Sequence, residues 1–311
     1  MALTTPDRAR GVVGTGAARL ASAVRHPRAA AVSIEERTLA RRRLRRTGER
    51  ARAAGLDGRF LVLSFDCDTD EDAEVVESVH ARLATMDVCP VYAVPGELLI
   101  RARDVYARLA ANGAEFINHG HVSHTFFDEE AGRHASCFFY DEQSRERVER
   151  DIVEGHRTLE SALGVTPLGF RTPHFGTFQR TEQLRWLHRV LRTLDYRYSS
   201  STGPRFGLRH GPVLRRFGLL EFPVSGMPSM PYNPLDSWIC FASSASRLTA
   251  DDFVREAEAL ATLTARSDAG LINVYADPSH VHDRDEFFDA VRAWSAVAEP
   301  IGYRALADHL S

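Results

Sequence analysis

Phe60-Leu-Val-Leu-Ser-Phe-Asp-Cys-Asp68 is the stretch on which the fold turns. Phe60–Phe65 is a short apolar run, of strand length and without the polar face of an amphipathic helix. It ends in two carboxylates, Asp66 and Asp68, which at i and i+2 on an extended chain point the same way. Six comparable runs follow at 90–94, 114–118, 167–170, 196–200, 219–224 and 270–275. Between them lie helical stripes such as Val75/Val79/Leu83 and Val148/Ile152/Leu159/Leu163. Strands alternating with helices predict an α/β fold with a parallel sheet covered by helices. Seven such repeats over residues 56–311 favour a (β/α)7-type barrel over an open sheet.

Residues 1–55 differ in kind. All 39 basic residues of the chain are arginine, and residues 1–52 hold 13 of them against four acids. The remainder holds 26 arginines against 38 acids, so a segment of +9 precedes a body of −12. A weak stripe (Val13, Ala17, Leu20, Val24) and a capping box at Ser33/Glu36 predict a basic helical arm running to about Ala54. No aromatic side chain interleaves its arginines, so nucleic acid is not expected. A solvated helix offsetting the acidic body is favoured, with peripheral contact to an anionic membrane second.

Composition excludes several classes. A balance of 44 % hydrophobic and 26 % charged residues is that of a globular protein. The absence of lysine removes Schiff-base and P-loop chemistry, and no GxGxxG fingerprint follows any strand. Cys67, Cys89, Cys137 and Cys240 show no CxxC spacing, which excludes a cysteine zinc site and points to a reducing compartment. No apolar stretch reaches spanning length, and the N-terminus lacks the layout of a signal peptide. A cytoplasmic protein, with membrane contact only through the arm, is expected.

In a parallel α/β fold, function gathers where strands end. Those positions deliver Asp66-Cys67-Asp68, then Asn118-His119-Gly120-His121-Val122-Ser123-His124. They also deliver Arg171-Thr172-Pro173-His174, Glu221-Phe222-Pro223-Val224 and Tyr275-Ala276-Asp277-Pro278-Ser279-His280. Singly, each has an ordinary reading: Asp68 or Asp70 as a helix cap, a histidine as a satisfied core residue. Together, histidines and a carboxylate are the ligand set of zinc and similar divalent ions. A second carboxylate beside the metal suits a general base, and an arginine against it would keep it ionised.

This order of motifs resembles the polysaccharide deacetylases of the NodB-homology type, carbohydrate esterase family 4, from about Arg59 to Ser311. The resemblance implies a distorted, incomplete barrel. It implies Asp66 as catalytic base, Asp68 as metal ligand and Arg171 as the residue orienting Asp66. The backbone N–H of His174, where the family usually has tyrosine, would stabilise the oxyanion. His119 and His124 would be the ligand histidines, although their spacing is five where the family has four; His121 with His124 is the alternative pair. Ala276 stands where the family carries a histidine acid, and His280 could fill that role or be a solvated loop residue.

The expected activity is metal-dependent removal of an N-acetyl or N-formyl group from an amino sugar, with zinc the first choice of metal. A cytoplasmic precursor of a cell-surface polysaccharide or glycoconjugate fits as substrate. Two alternatives stand beside it: a hydrolase of a non-sugar amide on the same fold, and a catalytically silent carbohydrate-binding relative, suggested by Ala276. The aromatic residues expected at the site (Phe126, Phe127, Phe138, Phe139, Tyr140, Trp238) suit sugars and flat amides equally.

Overall fold

The computed structural model describes residues 35–311 except 244, 245 and 247, and only the backbone of Glu36 and Arg37. The arm's stripe and its capping box therefore lie outside the described residues or side chains.

Each of the seven apolar runs forms a strand of one parallel sheet: β1 (Arg59–Asp66), β2 (Val91–Val94), β3 (Glu115–Asn118), β6 (Gly169–Phe170), β7 (Tyr198–Ser199), β8 (Leu220–Glu221) and β9 (Gly270–Ala276). Seven of the eight residues of β1 are buried, which is why its apolar run is nearly unbroken. On one side it pairs with β9 from Arg59 to Phe65. On the other it pairs with β2 at Ser64–Asp66. The sheet continues β2-β3-β6-β7-β8 and curls on itself. Its two edges meet beyond β8, where the Ser225 N–H donates to the Asn273 carbonyl at 2.7 Å. The Asn273 side chain also donates to the carbonyls of Phe222 and Pro223. The result is a half-barrel, consistent with the (β/α)7-type barrel expected from the repeats and with the distortion that the resemblance implies.

Three short strands escaped the pattern. β4 (Thr125–Asp128) and β5 (Arg133–Ser136) form an antiparallel hairpin whose Phe126 and Phe127 are both about half exposed, so no alternation of burial marks it. β10 (Glu299–Pro300) is only two residues long and lies beside Phe60–Leu61. A strand that short carries no periodic signal.

One core layer lies between sheet and helices, where Phe65, Val76, Val79, Leu83, Phe253, Phe287 and Trp294 pack. In the helix Asp70–Ala84 it is Val76 rather than Val75 that is fully buried with Val79 and Leu83. A second cluster includes Val62, Ile117, Tyr198, Phe222 and Tyr303. Ala51 and Leu56 belong to this second cluster, so the described end of the arm packs on the barrel. The fit is close: a Cβ at Gly48 would lie 2.0 Å from Ser267 Oγ. Arg209, Arg43 and Arg205 converge on Glu35 and hold its carboxyl well below the usual range, overcoming the opposing effect of burial. No helix among the described residues is long and apolar enough to cross a membrane.

Candidate active site

The first strand end decides the site's layout. The helix Asp70–Ala84 is capped by Thr69, which exchanges hydrogen bonds with Asp72 in a capping box. Capping is therefore not the work of Asp68 or Asp70. Asp68 turns instead to the loop after β3: its Oδ1 lies 2.8 Å from His124 Nε2 and 3.6 Å from His119 Nε2. Ligand atoms of Asp68, His119 and His124 all lie within 4.8 Å of one another. Burial would raise the Asp68 pKa, but His124 and His119 outweigh it and hold the carboxyl well below its usual range. Asp68 is therefore an anion facing two imidazoles.

The donor set fits a divalent cation. His119 Nδ1 lies 2.9 Å from the Arg171 carbonyl; with the proton placed there, Nε2 is left as a lone pair facing Asp68. His124 Nδ1 is buried with no partner among the described residues, and its Nε2 faces the same point. Two buried imidazoles and one carboxylate make an arrangement that zinc takes readily. His121 is turned the other way, its Nδ1 3.1 Å from Thr158 Oγ1.

The helix Arg145–Leu163 holds this ligand loop in shape. Asp151 accepts the N–H groups of His121 (3.1 Å) and Val122 (2.8 Å) and the Tyr140 hydroxyl (2.5 Å). Asn118 donates to the Ile152 carbonyl and to Tyr196 and accepts the Gly120 N–H. Gly120 has φ +82°, and a Cβ there would lie 2.3 Å from Asp151 Oδ2, so both conformation and space demand glycine. This loop accommodates the five-residue spacing between His119 and His124. Tyr140 thus supports the loop from a buried position and does not line the site as expected.

Asp66 meets Arg171 at 2.5 Å. Burial pushes the Asp66 carboxyl up to about 7, with the Arg171 guanidinium opposing the rise. Arg171 is fully buried and also donates to Ser64 Oγ, Ser200 Oγ and Tyr303 Oη. Tyr303 in turn donates to Asn273 Oδ1 at 2.6 Å. Glu221 works one layer behind. It accepts from the N–H groups of Ser201 and Thr202 and pairs with the buried His188 at 3.0 Å, shaping the segment that carries Ser200.

His174 sits beside the metal cluster in a left-handed conformation (φ 58°), its ring centroid 5.3 Å from that of His124. Its Nε2 lies 2.8 Å from the Cys137 carbonyl, and burial lowers its pKa. Among the described residues no acceptor takes its backbone N–H. His280 lies apart from these groups, on the short helix Pro278–Val281, where Nδ1 is 3.1 Å from Asp277 Oδ2 and 3.4 Å from Ser237 Oγ. Burial alone would lower the His280 pKa; the Asp277 carboxylate reverses this and raises it to about 9.

Several supporting residues were not singled out from the sequence. Ser64, Ser200, Asp151 and Tyr303 sit within ordinary strand and helix patterns, and only the folded chain brings them to the loop or to Arg171. Asp151 alone carried a signal, as a carboxylate one residue before Ile152 of the buried stripe.

A curled parallel sheet with two histidines, an aspartate and an arginine-held carboxylate at its strand ends defines an α/β-barrel protein with a hydrolase-type site. Residues 54–198 match the family model described as polysaccharide deacetylase, which places this segment, through the start of β7, in that family of hydrolases. Among solved structures, a candidate polysaccharide deacetylase from Mycobacterium smegmatis is similar at 18 % identity and a TM-score of 0.60, covering 82 % of this chain and 91 % of that one. The PuuE allantoinase is similar at 13 % identity and 0.55, covering 80 % and 89 %. The Bc1960 peptidoglycan N-acetylglucosamine deacetylase is similar at 13 % and 0.50, covering 80 % and 88 %. At these identities the likeness is one of fold. No curated protein matches the chain.

Proposed function

We propose that this protein is a metal-dependent hydrolase that removes an N-acetyl or N-formyl group from an amino sugar. The observation that carries this reading is the convergence of Asp68, His119 and His124 beside the Arg171-held Asp66, within a chain whose 54–198 segment belongs to the polysaccharide deacetylases. Asp68, His119 and His124 would hold the ion, zinc by the chemistry of the donors. A divalent ion there supplies Lewis acidity toward an amide oxygen and lowers the pKa of water.

The chain's own residues account for the rest. Asp66, raised to about 7, takes the proton of the attacking water, since a base titrating near the working pH is the most effective. Arg171 holds the Asp66 carboxylate in place through a buried, charge-assisted bond. The His174 N–H donates to the oxygen on which negative charge develops. His280, kept protonated beside Asp277, is the source of the proton that the departing amine needs. A cytoplasmic precursor of a cell-surface polysaccharide or glycoconjugate is the proposed substrate, and the arginine-rich arm offers contact with an anionic membrane.

The test is purified protein assayed for bound metal and for acetate or formate release from N-acylated amino sugars, beside a panel of cyclic amides and formamides. Release from the sugars with metal bound supports the proposal. Turnover of the non-sugar amides alone moves the protein to that substrate class. Absence of both metal and turnover leaves a carbohydrate-binding relative.

A further inference from the structure

Ala276 draws attention in the sequence, yet in the fold it faces away from the site. It pairs with Phe65 on β1, and both side chains lie in the layer between sheet and helices. Its neighbour Tyr275 pairs with Ser64, whose hydroxyl accepts from Arg171. Side chains alternate along a strand, so Tyr275 is the residue that the end of β9 presents to the interior. Its ring centroid is 5.6 Å from the Arg171 guanidinium carbon and 4.6 Å from that of Phe175.

We propose that Tyr275, backed by Asp236, presents the hydrogen that the leaving amine takes up, with His280 and Asp277 replenishing it from behind; this rests on the deacylation reading above. The Tyr275 hydroxyl donates to Asp236 Oδ2 at 2.9 Å. Asp236 is 3 % exposed, and its other oxygen accepts the Ile239 N–H at 2.8 Å. A buried carboxylate with a phenol and one amide as partners and, among the described residues, no cation in direct contact is costly to keep for packing alone. Behind it, Ser237 Oγ lies 2.9 Å from Asp277 Oδ2 and 3.4 Å from His280 Nδ1. Ser237 follows Asp236 in the chain, so the Asp277–His280 pair lies near Asp236, and among the described residues no direct hydrogen bond joins the two.

The charged groups around this path are Arg171 and Asp66 on the inner side, with Asp277 and His280 on the outer. Burial pushes the Tyr275 phenol well above its ordinary range, so it stays protonated, and pushes the Asp236 carboxyl up to about 7, so it exchanges its proton near neutral pH. In the step, the protonated Asp236 carboxyl donates to the Tyr275 oxygen and so frees the phenol hydrogen, and the Tyr275 O–H bond breaks as the N–H bond of the departing amine forms. The phenolate takes its proton from the Asp236 carboxyl, and Asp236 regains one through bridging water from the His280 side, which exchanges with solvent. Only protons move, and no further reactant is required.

The test compares wild type and Tyr275→Phe on an N-acetyl amino sugar and on 4-nitrophenyl acetate, with bound metal measured in each. The ester's leaving group departs without a proton, so the ratio of amide to ester turnover reads the protonation step alone. Loss of a general acid should lower that ratio about 10²-fold, with metal content and KM unchanged. Asp236→Asn, which preserves shape, should lower the same ratio and reads it even where Tyr275→Phe folds poorly. An unchanged ratio in both variants, or equal loss on amide and ester, overturns the role and leaves Tyr275 a packing residue. A wild type that cleaves the ester but no amino-sugar amide overturns the deacylation reading itself, and this role with it.

Discussion

Two histidine-bearing loops follow strands of the same sheet and end up in opposite situations. The loop after β3 carries His119, His121 and His124; the segment after β9 carries His280 and His282. In the first, Asp151, Asn118 and Tyr140 secure the backbone from the neighbouring helix, and two of the three imidazoles are driven inward onto Asp68. In the second, Pro278 starts a short helix at once, and His280 is taken up by Asp277 and Ser237. The inward position there falls to a tyrosine. What separates the loops is the polar group standing behind each backbone, and not the number of histidines or their distance from the strand.

The largest effect expected is at the first loop. Asp68→Ala, His119→Ala and His124→Ala should each abolish bound metal and turnover, whereas His121→Ala should retain metal. Elemental analysis of the purified variants reads this, and metal at wild-type stoichiometry in both His119→Ala and His124→Ala would remove the two histidines from the ligand set. Asp66→Asn should keep metal and lose activity, because an amide cannot accept the proton of water.

Arg171→Ala comes next, since it leaves the Asp66 carboxylate buried without its cation. Removing one partner of a buried ion pair costs about 3–5 kcal/mol, so the denaturant midpoint should fall sharply. Metal binding should survive, because Arg171 touches the carboxylate and not the ligand side chains; its backbone carbonyl, which orients His119, remains.

Asp151→Asn tests the support of the loop directly. The variant keeps the shape but weakens the bonds to the His121 and Val122 N–H groups, and second-layer changes of this kind cost about 10–100-fold in metal affinity. Competition with a chromophoric chelator measures it. Wild-type affinity would mean that the loop holds its form without the helix behind it.

The second loop should show itself in pH dependence. The His280 pKa is raised to about 9 from an ordinary 6.5, so the charged imidazole contributes stability that is fully present below pH 6.5 and is lost as the pH rises through 9. Urea midpoints of wild type should therefore decline between these values more steeply than those of His280→Ala. Parallel curves would show that the Asp277–His280 contact does not differ between the folded and unfolded chain.

The smallest effect on chemistry belongs to the arm. Deleting residues 1–52 removes no proposed site residue, so turnover of a soluble substrate should survive. Thermal stability should fall, because Ala51 is fully buried and Arg50 bonds the Leu208 carbonyl. Sedimentation with anionic vesicles tests the proposed membrane contact, which salt should weaken if it is electrostatic.

The seven parallel strands were legible because each lies in a mostly buried run of four or more residues, although β6, β7 and β8 pair over only two residues of theirs. The motif residues were legible because strand ends are where a parallel sheet exposes side chains to a common site. The sequence by itself thus determined the sheet, its helices and the candidates Asp66, Asp68, His119, His124, Arg171 and His174. Tertiary structure alone decided which histidines face one another, that Thr69 and not Asp68 caps the helix, that Ala276 points away, and that Ser64, Ser200 and Tyr303 share Arg171. Local pattern records burial and periodicity, which are properties of one segment. The direction of a side chain and the partner of a buried charge depend on segments about 30 to 210 residues distant, as in the contacts of Asp151 with His121 and of Ser64 with Val274, and those meet only when the barrel forms.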